Sequence, residues 1–425
     1  MASSEAGGED PFGKAVLTDE FWQCRQELRP NHVPRGASNL PEAISLDRLV
    51  AALDVGSKRE FGTTAAYKRG EPCVRENWPL AYLDNATLSL SDAERHFPAL
   101  MDLCKALEAN FGFVSAKLVV DPPESTGPPM VADADMLAVQ VWGEQRLSLI
   151  RSLQGLPISA PRPKEMLALV LRPGDVLYVP SGVECRTVPA PEGGAVARPR
   201  EDKSSGCASE ISRSQSKGTQ MPVMYVLITL QSPDQSLDAS LSKFLVDSLL
   251  NKSVFSAETD GFFRRAVTKR TLTRPSAEGR ATLDEELRRS VGELFSKTRA
   301  SDLRRHFDAR METLRREQLE GADEVRKAAS KSADSLTTGS RVRVARGVMC
   351  RCDAGSTKAD FQRGGQTLTL SIAPTASHLL NRLADGLPHV IESLPCEDAL
   401  ERICVVQVFL QKDCLEIVSG EHTNR

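Results

Sequence analysis

The apolar positions of this chain change their period twice. Between residues 114 and 230 they alternate or run in short blocks. The blocks are VSAKLVV at 114–120, MLAVQVW at 136–142, QRLSLI at 145–150, MLALVL at 166–171, VLYV at 176–179 and VMYVLITL at 223–230. Blocks of four to eight apolar or alternating residues between Gly and Pro signals predict strands. Gly143-Glu144 predicts a hairpin joining the second and third blocks. Arg172-Pro173-Gly174-Asp175 and Pro180-Ser181-Gly182 predict two further turns. Short strands joined this way predict an antiparallel barrel or a double-sheet jelly roll.

On either side of this region the period is helical. A helix carries Phe21-Trp22, a loop rich in Pro and Asn follows, and ISLDRLVAAL at 44–53 is helical. The amphipathic stretch 92–110 predicts one helix, with Asp92 as its cap and Gly112 as its stop. From 236 to 330, LDASLSKFLVDSLL, LDEELRRSVGELFSK and ASDLRRHFDARMETLRREQLEGADEVRKAA repeat at three- and four-residue spacing. The last is dense in i,i+4 charge pairs. Helices with one apolar stripe need a partner surface, so this region is expected to be a helical dimerisation module and the chain a homodimer. Residues 331–340 read as a linker. Beyond it, strand-like RVRVARGVMCR and QTLTLSI mix with helical SHLLNRLADGL and ALERICVVQVFLQ, which suits a winged-helix-like domain. The expected boundaries are an N-terminal segment at 1–75, the barrel at 76–235, the helical region at 236–330 and the last domain at 340–425.

Length and composition narrow the picture. A chain of 425 residues suits two or three domains, and 40% hydrophobic with 26% charged residues is ordinary for a globular protein. A net charge of −3 excludes a globally basic nucleic-acid binder while leaving room for local patches. No run of 18 apolar residues occurs, so no membrane helix is expected. MASSEAGGEDPF at the start is acidic and lacks an apolar core, unlike a secretory or mitochondrial leader; a nuclear or cytosolic site is expected. The ten cysteines contain no C-x-x-C pair and read as free thiols. Residues 189–221 are rich in Gly, Ser, Pro and charge and predict a disordered insertion between two strands.

Five segments then carry a resemblance: FGTTAAYKRGEP from 61, AYLDNATLSLSDAERHFPALMDLCKALEANFG from 81, KLVVDPPESTG from 117, LAVQVWGEQRLSLI from 137 and LRPGDVLYVPSG from 171. Together they resemble the JmjC-type ribosomal oxygenases, a nucleolar group that hydroxylates histidines of ribosomal proteins and to which histone-lysine demethylation has also been assigned. The order of barrel, helical dimerisation region and winged-helix-like domain matches as well. The resemblance implies a JmjC/cupin double-stranded β-helix, a nuclear and nucleolar location with the cytoplasm second, and a ribosomal protein, histone or RNA as partner.

It also implies Fe(II) and 2-oxoglutarate, with iron on two histidines and one carboxylate that leave open positions. The first two ligands come as His-x-Asp, the third is a later His, and a Lys holds the distal carboxylate of 2-oxoglutarate. In this chain the His slot holds Met130, the carboxylate slot Ala132, the third slot Cys185 and the Lys slot Gln145. No histidine lies between His96 and His306, so no shift of register supplies two imidazoles from the barrel strands. A degenerate oxygenase without cofactor, acting as a binding or scaffold protein, is therefore expected. Two alternatives stand beside it. One is an active hydroxylase or demethylase with a substitute site of Asp133, Asp135, Glu184 and Cys185; the parity of a strand points the two aspartates away from Met130 and Ala132. The other is an RNA-binding factor using Arg264, Arg265, Lys269 and Arg270, joined by Arg341, Arg343, Arg346 and Arg351.

Overall fold

A computed structural model describes residues 11–73, 77–122, 130–151, 165–187, 222–230, 299–331, 336–372, 374–396 and 398–418. Its helices are α1 (Pro11–Val16), α2 (Asp19–Gln26), α3 (Leu40–Ala43), α4 (Leu46–Gly56), α5 (Trp78–Leu83), α6 (Pro98–Phe111), α7 (Ala300–Lys331), α8 (Pro374–Leu383) and α9 (Ala399–Gln411). Before and within the barrel region the strands are β1 (Asn31–Val33), β2 (Thr64–Lys68), β3 (Glu71–Pro72), β4 (Thr87–Leu90), β5 (Ser115–Asp121), β6 (Met130–Val131) and β7 (Met136–Trp142). There follow β8 (Gln145–Arg151), β9 (Glu165–Leu171), β10 (Val176–Val179), β11 (Val183–Thr187) and β12 (Val223–Thr229). The C-terminal part holds β13 (Arg341–Val344), β14 (Val348–Arg351), β15 (Lys358–Arg363), β16 (Gln366–Ser371), β17 (His389–Val390) and β18 (Leu415–Ile417).

The chain divides into two units. One comprises Met1–Asn110, Val114–Leu230 and Gly321–Arg425; the other comprises Phe111–Phe113 and Gln231–Glu320. In the first, two antiparallel sheets share a core. The larger has the order β1-β10-β7-β12-β5-β4-β2-β3 and the smaller β6-β11-β8-β9. Val119, Leu177 and Leu227 from the larger sheet and Leu147, Leu149 and Val183 from the smaller belong to one buried apolar cluster. The alternation of side chains along each strand is what gives every one of these strands an inner face.

Two expectations from the sequence are corrected. The predicted hairpin at Gly143-Glu144 does not form: β7 pairs with β10 and β12, while β8 pairs with β9 and β11. Gly143, at φ +69°, turns the chain from one sheet into the other. The predicted helix 92–110 begins only at Pro98. Asp92 sits at φ +51° and makes no side-chain cap, and a single 3₁₀ turn, Ala93–Arg95, precedes α6. A residue before proline is pushed out of the α region, which separates that turn from the helix. From Pro98 on, Leu100, Cys104 and Leu107 recur at helical spacing and are fully buried, and Gly112 at φ +78° ends the run.

The N-terminal segment is a working part of the larger sheet. β1 pairs antiparallel with β10, Asn31 opposite Tyr178, and so covers an edge that would otherwise expose unpaired backbone groups. The carboxylate of Asp175, only 6% exposed, fixes this segment to the Arg172–Asp175 turn. It accepts from the Arg35 and Arg172 amides at 3.0 Å each, and its Oδ2 lies 3.2 Å from His32 Nε2.

The C-terminal residues from 336 form two three-stranded antiparallel sheets, β17-β13-β18 and β14-β15-β16, with α8 and α9. Their attachment to the N-terminal helices includes three side-chain hydrogen bonds. The Tyr82 hydroxyl donates to Asp398 Oδ2 at 2.6 Å, and Thr338 donates to both oxygens of Asp47. In the second unit, Phe307 closes on Gly112 and the Phe113 amide lies 3.2 Å from Met311 Sδ. Residues 300–329 are helical as expected. The other two expected helices of that region, the insertion 189–221 and the basic group Arg264, Arg265, Lys269 and Arg270 lie outside the described residues. Among the described residues no helix is long and apolar enough to cross a membrane.

Candidate functional site

The three slots for iron ligands come together on the smaller sheet. β6 and β11 are antiparallel neighbours, and their register sets Met130 directly opposite Cys185. Ala132 follows on the same strand line; its amide donates to Val183 O and its carbonyl accepts from the Gly182 amide. Met130, Ala132 and Cys185 thus meet at one focus of the fold. The chemistry of that focus is apolar. Ala132 and Cys185 are buried members of the shared core cluster and Met130 packs against it. Burial, with the charge of neighbouring Glu184 second, pushes the Cys185 thiol up to about 12. A thiol that keeps its proton is a poor metal ligand, since the thiolate is the binding form. A thioether, a methyl group and a protonated thiol do not make the two imidazoles and one carboxylate that Fe(II) takes here. The residues present do not fit the ion.

The four residues of the substitute site are not gathered. Asp133 is exposed. Asp135 turns to the N-terminal segment, where it accepts from Arg25 Nε and from the Ser181 amide, both at 3.1 Å. Glu184 pairs with Arg186 at 2.7 Å, one strand position away from Cys185 and therefore on the other face. Among the described residues no group of three His, Cys, Asp or Glu side chains is placed to hold a metal ion.

Gln145, in the slot for the 2-oxoglutarate lysine, is 4% exposed and donates from Nε2 to Thr187 Oγ1 at 3.3 Å. It also bonds to the buried hydroxyl of Tyr225, whose acidity is suppressed by burial first and by the charge of Asp121 second. Asp121 is the residue that sequence reasoning missed. It lies on β5, 2% exposed, with Oδ1 accepting from the Thr87 hydroxyl and Oδ2 buried without a partner among the described residues. Lys117 lies on the same face of β5, four residues away and so about 13 Å along the strand. Its Nζ lies 5.6 Å from the centroid of the Tyr67 ring. The signal was in the sequence: Lys117 and Asp121 share the parity of Val119, an inward residue. Gln145 and Asp121 thus both act on the Tyr225 hydroxyl, one through a hydrogen bond and the other through its charge.

Burial raises the Asp121 carboxyl to about 6 from its ordinary 3.8. In the unfolded chain the same group loses its proton near pH 4, so the native state holds more protons between pH 4 and 6. Stability from this group falls as pH rises through that window and stays lost above it. Asp121→Asn keeps an acceptor for Thr87 and removes the charge. It is expected to stabilise the protein at pH 7 by on the order of 2 kcal/mol relative to pH 4. Urea unfolding of both proteins at the two pH values reads the difference; an equal offset at both would show that the carboxylate ionises at no cost.

Of the four C-terminal arginines, Arg343 and Arg346 converge on Glu416, at 2.6 Å and 3.8 Å, while Arg341 and Arg351 are exposed.

Comparison with known proteins gives the following. No family model matches the chain, and no curated protein matches it. Among solved structures, YcfD, a ribosomal oxygenase from Escherichia coli in complex with cobalt and succinic acid, is similar with a TM-score of 0.42 and 14% identity. The match covers 94% of this chain and 98% of that one. The same enzyme with cobalt and 2-oxoglutarate gives 0.41 and 13% over the same shares. A 7S globulin of Momordica charantia gives 0.20 and 14%, over 35% of this chain and 31% of that one.

Proposed function

We propose that this chain is a ribosomal-oxygenase-like protein that has lost its Fe(II) and 2-oxoglutarate chemistry and acts as a binding or scaffold protein. In this reading the strand orders β5-β12-β7-β10 and β6-β11-β8-β9 are a JmjC-type jelly roll, and the C-terminal domain is winged-helix-like. The protein is a homodimer that works in the nucleus, at the nucleolus, on a ribosomal protein, a histone or RNA. One observation carries the reading: Met130, Ala132 and Cys185 meet across one strand pair and are packed as core. A strand pair does not need the ion to fold, so the frame survives when the ligands go. The uncharged Gln145 in the expected lysine position, with the buried acid Asp121 acting on the same Tyr225 hydroxyl, supports the loss of the cosubstrate as well.

The test is an anaerobic calorimetric titration of metal-stripped protein with Fe(II), with and without 2-oxoglutarate. No heat beyond dilution is expected in either arm. Stoichiometric uptake would overturn the proposal and make this an oxygenase with unorthodox ligands.

A further inference from the structure

Among the described residues the four sheets have eight edge strands, and seven of them are short or polar. β1 and β18 have three residues each; β3, β6 and β17 have two, and β3 ends on Pro72. β14 has four residues and ends on Arg351, and β16 has six, of which four are Gln, Thr or Ser. Short length, charge and proline keep an open edge from pairing with another chain. β9 uses none of these devices along its run. It extends over seven residues, Glu165–Leu171, and pairs only with β8 among the described residues. Beyond Met166, where the register slips, it reads Leu167-Ala168-Leu169-Val170-Leu171, with no charge and no proline.

Strand parity sorts this run onto two faces. Leu167, Leu169 and Leu171 lie opposite Leu149, Leu147 and Gln145 of β8, on the inner face. Leu171 is fully buried, whereas Leu167 and Leu169 pack against the shared core cluster and stay half-buried. The core is therefore open along this edge. On the outer face Val170 is half-buried and Ala168 is exposed. What closes such an edge is an uncharged strand with an apolar residue at every second position. The chain supplies that strand itself, because the run is nearly a palindrome. Two copies paired antiparallel about Leu169 set Leu169 against Leu169 and Leu167 of one copy against Leu171 of the other. On the outer face the same register sets Ala168 against Val170, a small side chain opposite a larger one. Facing apolar pairs of this kind are the unit that stabilises a sheet. We propose that β9 is a self-association edge, through which two copies of this chain join their smaller sheets into one antiparallel sheet. A strand pair this short lies at the small end of protein interfaces, so its dissociation constant is on the order of 10 µM. The contact is separate from the helical region expected to dimerise, and it does not depend on the fate of the iron site.

Sedimentation velocity of the full chain, from about 1 to about 200 µM, tests this. The mean mass is expected to double across that range. Ala168→Lys puts a charge on the edge at an exposed position. It is expected to weaken the association at least about tenfold, with the circular dichroism spectrum unchanged. Val170→Glu is expected to weaken it too. Mixing the two variants brings the new lysine opposite the new glutamate and is expected to restore association to within about tenfold of the unaltered chain. A dimer made through the helical region persists in Ala168→Lys at every concentration, so the two contacts are read apart. The proposal is overturned if the mass stays constant over the whole range, which would leave this edge to a strand of another protein. It is overturned equally if Ala168→Lys does not move the midpoint, and pairing about Leu169 is overturned if the mixture shows no recovery.

Discussion

Placing the carboxylate of the resembled oxygenases into this chain, by Ala132→Asp, is expected to destabilise it by about 4 kcal/mol at pH 7. The backbone of residue 132 is locked on both sides, to Val183 O and the Gly182 amide, so the new side chain cannot swing out. It would enter a cluster whose members include Val119, Leu149 and Val183, at a position 3% exposed. An uncompensated polar group in such a place costs about 1–3 kcal/mol, and an unpaired charge more. The group would escape part of this by holding its proton. Its native carboxyl would then lie above that of the unfolded chain, and the loss would grow as pH rises from 4 to 7. Urea unfolding at both pH values, with and without a divalent metal, measures it. A loss below about 1 kcal/mol, or recovery on adding metal, would mean that this focus is polar and that the reading of it as core is wrong.

Asp175→Ala is expected to cost about 3 kcal/mol. The carboxylate meets two part-buried backbone amides and lies against the His32 ring, and the amides of Arg35 and Arg172 lose this acceptor if it goes. Each buried donor left open costs about 1–3 kcal/mol. The loss should be accompanied by release of the N-terminal segment, because the Arg35 amide and His32 belong to it. Hydrogen exchange at residues 31–37 would report this. Global destabilisation with those amides still protected would mean that β1 is held by its pairing with β10 alone.

Many strands of the two-sheet region were legible in the sequence because they are short apolar runs ended by Gly or Pro. β7 and β10 fall where the alternation puts them, to the residue. What was not legible was partnership. Gly143 looks the same whether it closes a hairpin or turns a corner between sheets, since both need a positive φ; only long-range pairing decides. The error over residues 92–97 was avoidable, because Pro98 marks a helix start and bars its predecessor from the α region. At the site, Met130, Ala132, Cys185 and Gln145 were readable because each fills a numbered slot. Of Asp121 only the inward parity was readable; that it and Gln145 both act on Tyr225 follows from the registers of strands far apart in sequence.

The strand that covers the barrel's edge also sets a schedule. Asn31 pairs with Tyr178, 147 positions later in the chain. A ribosome adds roughly 5–20 residues per second, so β1 leaves the exit tunnel on the order of 10 s before its partner exists. Contacts of such long sequence separation close late and slow the search for the native state. During that interval residues 31–33 have no sheet to join, and once β10 emerges its edge stays open until they arrive. The nascent chain is therefore most exposed to strand-to-strand misassociation in the seconds after residue 179 is made, and a chaperone that shields either edge would act there.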